Sequence, residues 1–196
     1  QPALLDIMNA CDGIMVARGD LAVEVGDASV PALQKKMIRL AREKNKLTIT
    51  ATQMMESMIA SPVPTRAEVS DVANAVLDGT DAVMLSAESA SGRYPVEAIE
   101  AMDRICIEAE QSQPVSLEQE FLNRVFTRVD QSIAMAGLFT AFHLKVKAIA
   151  TLTESGSTAL WMSRLNCGVP IYALTSQTAT RYRCALFRDV YPLMVK

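Results

Sequence analysis

The chain of 196 residues carries a single histidine, His143, and this excludes any site that needs two imidazoles. Its four cysteines, Cys11, Cys106, Cys167 and Cys184, lie far apart and form no CxxC pair. Zinc clusters and a disulfide framework are therefore not expected, and the thiols read as reduced fillers of core or surface positions. No apolar run approaches the length of a transmembrane helix, and Gln1-Pro2 opens no secretory signal peptide. A cytoplasmic protein with no membrane partner is expected. The formal net charge is −3, so nothing favours nucleic acid as a partner. Tandem repeats and low-complexity segments are also lacking. What remains is ordinary globular composition, 50% hydrophobic and 21% charged, long enough for one large domain or two small ones.

Short apolar stretches alternate with helical ones. Gly13–Ala17, Leu47–Ala51 and Ala82–Leu85 read as strands closed by Arg18-Gly19-Asp20, Thr52-Gln53 and Ser86-Ala87-Glu88. Helices are expected from about Pro31 and from Pro95 to about Ala109, each proline being suited to a first turn. Near-continuous apolar strands between amphipathic helices imply parallel βαβ units buried on both faces. The pattern breaks at Gln111–Ser116, which places a domain boundary near residue 112. Helical periodicity follows from Glu118 to His143, clearest from Arg128 to Phe142. A second α/β run comes next, with strands at Ala148–Leu152, Ile171–Leu174 and Tyr191–Val195 and helices at Thr158–Leu165 and from Thr178. The fold class expected is α/β, with residues 1–112 in one domain and 113–196 in another.

In a parallel α/β barrel the chemistry collects at the C-terminal ends of the strands. Those ends supply Arg18, Gly19, Asp20, Thr52, Ser86 and Glu88. Asp20 suits a hard cation such as Mg²⁺, which takes few protein oxygens. Gly19 allows close backbone approach, exposed amides before a helical turn favour an anion, and Thr52 supplies a hydroxyl donor. One carboxylate, one anion pocket and one hydroxyl suit an anionic substrate bound through a metal. Turns that merely close strands would use the same residues, and spacing alone does not separate the two readings.

Longer motifs carry a resemblance. Ile14-Met-Val-Ala-Arg-Gly-Asp-Leu21 with Val23-Glu24, Thr50-Ala-Thr-Gln-Met-Met-Glu-Ser-Met58, Pro64-Thr-Arg-Ala-Glu68, and Asp71 through Ser86 form an ordered series that Ala87 to Pro95 continues. The series resembles the pyruvate kinases of bacteria over roughly residues 11–110. The resemblance implies the last three βα units of a (β/α)8 TIM barrel followed by a partial α/β effector domain. It implies the phosphoryl transfer of glycolysis, from phosphoenolpyruvate to ADP giving pyruvate and ATP. Asp20 would be the Mg²⁺ ligand, and the Gly19 and Asp20 amides with the Thr52 hydroxyl would hold the substrate carboxylate. Thr52, Ser86 and Glu88 would be the catalytic set, the last two around a proton-carrying water network. Arg66 would reach a neighbouring subunit near Arg18, in a homotetramer. The family's Lys-x-Glu strand, lid domain and K⁺ ligands have no counterpart here, and no lysine of this chain replaces the missing one. The isolated chain is accordingly expected to be inactive. Ala22 departs from the family's usual glycine and is tolerable if its φ is negative.

In the second domain, Thr153-Glu154-Ser155-Gly156-Ser157-Thr158 surrounds a helix start with hydroxyls. That is either a phosphate cradle or a well-capped helix. The family places a phosphorylated allosteric effector at the matching loop, although Ser157 stands where many members carry a basic residue. Trp161 and the methionines Met54, Met55 and Met58 read as packing. Two other functions compete: a non-catalytic phosphate-binding or assembly module, motivated by the missing lysine, and a different Mg²⁺-dependent barrel enzyme acting on phosphoenolpyruvate. The second of these does not account for the ordered motif series.

Overall fold

Five residues without a charged or amide side chain make β1 (Gly13–Ala17), preceded by α1 (Pro2–Ala10). In this computed structural model the described residues are 2–112, 125–126, 128–165 and 168–196. The chain divides into two units, Gln1–Gln113 and Pro114–Lys196.

The first unit is a parallel sheet ordered β1-β2-β3, with β2 at Leu47–Ala51 and β3 at Ala82–Met84. Its register sets Ala17 beside Ala51 and Ala51 beside Met84. All three strands therefore end at one edge, and the residues that follow them become neighbours. Helix α2 (Arg18–Val25) starts directly at the end of β1, so Arg18-Gly19-Asp20 is a helical turn rather than the expected loop. Ala22 lies within it and is not among the positive-φ residues. A 3-10 turn at Asp27–Ser29 leads into α3 (Val30–Glu43), with proline in its first turn as expected.

A second 3-10 turn, Glu56–Ile59, precedes α4 (Arg66–Leu77); α5 (Ala87–Ala90) and α6 (Pro95–Ser112) follow β3. The methionines behave as packing: Met54, Met55 and Met58 are fully buried with Val72, Ala75, Ala98 and Ala101. This core lies on the helix side of the sheet. There the buried hydroxyls of Thr50 and Thr80 meet at 3.0 Å. Met15, on the opposite face, is 46% exposed, as expected for the inward face of the partial barrel that the resemblance implies.

The second unit repeats the parallel pattern. Helix α7 (Val129–Leu144) precedes β4 (Ile149–Leu152); α8 (Ser157–Ser163), β5 (Ile171–Thr175), α9 (Thr178–Cys184) and β6 (Val190–Met194) complete it. Sheet order is β4-β5-β6. Ile171, Ala173, Thr175 and Val190 form its buried face, whereas Leu152, Tyr191 and Leu193 lie on the other face and are exposed. Trp161 packs beneath the Arg128 guanidinium at 5.0 Å, and the His143 ring lies tilted against Phe139 with centroids 4.2 Å apart. Cys11, Cys106 and Cys184 are free thiols, and burial pushes the Cys184 thiol above its ordinary pKa. Cys167 and the expected helical stretch from Glu118 to Arg124 lie outside the described residues.

Candidate functional site

Because β1, β2 and β3 end in register, Gly19, Thr52 and Ser86 follow one another along the C-terminal edge of the first sheet. The closest contact among the expected residues is the Gly19 amide, which donates to Thr52 Oγ1 at 2.9 Å. The Thr52 hydroxyl accepts that bond and keeps its own proton to donate. A Cβ on Gly19 would stand 3.6 Å from Thr52 Oγ1, an ordinary contact. Packing within the chain thus does not demand glycine here; an unobstructed approach to the hydroxyl and amide does profit from it.

Thr52 and Gln53 have φ of 70° and 52°. Successive left-handed residues with side chains are unfavourable, most of all for a β-branched one. Arg18 holds them. Its Nε and Nη2 donate to the Thr52 carbonyl at 3.2 and 2.7 Å, Nη2 also reaches the Gln53 carbonyl at 3.0 Å, and Nη1 pairs with Asp71 of α4. Arg18 is only 9% exposed. The residue expected at a subunit contact therefore spends its guanidinium inside its own chain.

Asp20 is exposed in the first turn of α2 and makes no hydrogen bond or ion pair with the described residues. Its position suits a negative charge, since the amides of a first helical turn carry partial positive charge. No group of three or more His, Cys, Asp or Glu side chains that could hold a metal occurs among the described residues. A lone free carboxylate beside a hydroxyl fits Mg²⁺, which keeps most of its shell as water or substrate oxygen. It does not fit a metal that needs a full protein cage.

Ser86 and Glu88 divide their work. Ser86 is exposed at the start of α5. Glu88 is 2% exposed, and its two oxygens accept backbone amides, Met55 at 3.2 Å and Ser86 at 2.7 Å. The carboxylate thereby ties the end of β3 to the segment that follows β2.

Arg66 is the first residue of α4, exposed, and without a bonded partner among the described residues. The Pro64-Thr-Arg-Ala-Glu68 run is foremost a capping box. The Thr65 hydroxyl accepts the Glu68 amide while the Glu68 carboxylate accepts the Thr65 amide at 2.7 Å. Glu68 also accepts Ser57 N and Oγ, at 2.7 and 2.5 Å. Burial raises its pKa, but the bonds from Ser57 and Thr65 outweigh that effect and leave it below the ordinary value. The T-x-x-E spacing is a sequence-level helix start, and it was the available signal for α4.

In the second unit, Thr153 Oγ1 accepts the Gly156 amide at 2.9 Å, and Ser155 Oγ accepts the Ser157 amide at 3.4 Å and meets Ser157 Oγ at 3.0 Å. The Glu154 carbonyl accepts from Thr180 at 2.6 Å. Gly156 has φ 83°, and a Cβ there would stand 3.0 Å from Cys184 Sγ, so this corner requires glycine on two counts. Capping and cradle are not exclusive: Thr153 and Ser155 satisfy loop amides, while Thr158, at the second position of α8, makes no side-chain bond among the described residues.

Comparison with known proteins adds to this geometry. Residues 2–99 match the family model described as pyruvate kinase, barrel domain, and residues 131–196 match pyruvate kinase, alpha/beta domain. A pyruvate kinase of Buchnera aphidicola subsp. Schizaphis graminum is 53% identical over 194 residues, 98% of this chain and 40% of that protein. A pyruvate kinase II of Salmonella typhimurium is 54% identical over 194 residues, with the same shares of 98% and 40%. A pyruvate kinase of Haemophilus influenzae is 52% identical over 192 residues, 97% of this chain and 40% of the relative. The chain thus spans about 40% of the length of the curated relatives it matches.

Proposed function

The chain belongs to the pyruvate kinase family, a family of phosphotransferases, and from that premise we propose that it supplies the substrate-carboxylate side of an active site converting phosphoenolpyruvate and ADP to pyruvate and ATP in glycolysis. The observation that carries the proposal is the edge of the first sheet. An amide and a hydroxyl 2.9 Å apart stand at the start of a helix whose first turn holds an uncommitted carboxylate.

Phosphoryl transfer depends on positioning and on neutralising charge, and needs no protein nucleophile. In this site the Thr52 hydroxyl and the amides of Gly19 and Asp20 bind and orient the substrate carboxylate, the Gly19 amide exchanging its bond to Thr52 Oγ1 for one to the substrate. Asp20 is the residue that would hold Mg²⁺, which when bound offsets the negative charge shared by substrate carboxylate and phosphoryl group. Ser86, exposed at the next strand end, borders the water through which the enolate regains a proton. Glu88 keeps Ser86 in place through its backbone amide. No residue of this chain is assigned to K⁺. The family's transferring lysine and lid have no counterpart in residues 1–196, and these residues by themselves are inactive.

Residues 1–112 act as the barrel part and 113–196 as the effector domain, in a cytoplasmic homotetramer. Arg66 reaches the neighbouring subunit from the start of α4. The loop Thr153–Thr158 takes the phosphate of an effector, chiefly through Ser155, Ser157 and Thr158.

The test is Asp20→Asn in a protein of the relatives' full length carrying this segment. Turnover of phosphoenolpyruvate with ADP, followed as pyruvate formation, is expected to fall at least about 100-fold, on the order of 3 kcal/mol of transition-state stabilisation. The Mg²⁺ concentration at half-maximal rate should rise. Unchanged kinetics would remove Asp20 from the metal site.

A further inference from the structure

The guanidinium of Arg18 is more committed than a subunit contact requires. It sits at the first position of α2, directly after β1, and reaches across to the end of β2. Three of its bonds go to two carbonyls, those of Thr52 and Gln53, and the fourth interaction is the pair with Asp71. Both carbonyls belong to the two residues held in the left-handed region, at φ 70° and 52°. The strand ladder cannot supply this hold, because the pairing of β1 with β2 ends at Ala51.

The turn matters because of what it presents. If Thr52 relaxed to an extended conformation, its side chain would swing to the other face of the sheet, since successive residues of a strand alternate. The contact between Thr52 Oγ1 and the Gly19 amide would then be lost. Gly19 follows Arg18 in sequence, so one residue fixes the turn while its neighbour receives the hydroxyl.

We propose that Arg18 is a positioning residue for the substrate-carboxylate site, holding the left-handed Thr52–Gln53 turn by its two carbonyls and so setting the Thr52 hydroxyl against the Gly19 amide. The proposal rests on the functional reading above for its kinetic consequence, but not for its structural one. Asp71 orients the guanidinium from α4. Lysine cannot substitute: it offers one nitrogen where the turn uses a planar fork of several.

The experiment uses the protein of the relatives' full length and the variants Arg18→Lys, Asp71→Asn, and Arg18→Lys combined with Gln53→Gly. Arg18→Lys should lower kcat/KM for phosphoenolpyruvate by about tenfold or more, with KM for ADP changed less than about twofold. Glycine at 53 adopts the left-handed conformation at no steric cost, so the double variant should recover at least about threefold of that loss. Asp71→Asn keeps the carbonyl bonds and should show the same split with a smaller loss. Backbone hydrogen exchange in the ligand-free protein should accelerate over residues 50–55 in Arg18→Lys. Wild-type turnover with faster exchange but no kinetic loss would overturn the proposal, as would a loss that glycine at 53 leaves untouched. If the wild type forms no pyruvate, the functional reading fails instead; the exchange measurement then still decides whether Arg18 holds the turn, and unchanged exchange would refute it.

Discussion

Replacing Glu88 with glutamine separates a structural carboxylate from a proton-handling one. The side chain is 2% exposed and accepts the Met55 amide at 3.2 Å and the Ser86 amide at 2.7 Å. Glutamine keeps one acceptor oxygen and turns the other into an NH2 group facing an N–H. If the carbonyl oxygen keeps the shorter bond to Ser86, the Met55 amide is left without an acceptor beside a fully buried side chain. A buried donor left unsatisfied costs about 1–3 kcal/mol, and a bond to a charged group contributes about 1.5–3 kcal/mol. The two descriptions overlap, so a net local loss of about 2–3 kcal/mol is expected, equivalent to about 30- to 150-fold in an opening equilibrium.

A global melting temperature is a poor measure in a multidomain protein. The suitable assay is native-state hydrogen exchange in a protein of the relatives' full length carrying this segment, read on peptides covering residues 53–58 and 84–88. Both should lose protection by the stated factor, while α3 stays unchanged. Protection within about twofold of wild type would refute the structural role. Collapsed turnover with intact protection would instead make Glu88 a proton carrier.

The Glu68 carboxylate sits below its ordinary pKa because Ser57 and Thr65 donate to its charged form. Its contribution is therefore complete above the unfolded value and is lost as pH falls through the folded one; stability measured by denaturant should decline in acid more steeply in wild type than in Glu68→Gln, and equal slopes would contradict this. Replacing Ser155 and Thr158 by alanine should weaken activation by a phosphorylated sugar or nucleotide while unactivated turnover stays near wild type. An unaltered effector response would leave the loop as a helix start alone.

The strands were legible because each is short, apolar and bounded by a turn. Gly13–Ala17 and Leu47–Ala51 have the bounds expected from sequence, and the other four shift by one residue at one or both ends. Helix α2 was not legible: its eight residues RGDLAVEV have no side-chain cap and no wide apolar stripe, so only the edge of the sheet defines where it starts. Helix α4 was legible in principle through Thr65 and Glu68, the same run that carries the family resemblance around Arg66. Asp20, Thr52 and Gly19 could be placed on one edge from strand ends alone. The inward turn of Arg18 could not, because it depends on positive φ at Thr52 and Gln53, two residues whose types do not announce it.

Exposure sorts the charged groups at this edge. Asp20 is exposed and unbonded among the described residues, as the proposed cation ligand, exchanging water for the metal, needs to be. Arg18 and Glu88 are buried, and each is bonded chiefly to backbone: the cation to two carbonyls and the anion to two amides. Burying a charge is costly unless it is paired or fully hydrogen-bonded. Here the charge is matched by peptide dipoles around the segment after β2, from β1 on one side and from β3 on the other. Truncating Arg18 or Glu88 would therefore strand peptide groups of that one segment, with Asp71, the partner of Arg18, half-exposed to water. Damage from either should converge on Thr52–Met55 and leave the free carboxylate of Asp20 in place. Under the proposed function, Mg²⁺ dependence and substrate-carboxylate affinity should thus respond to different residues of the same edge.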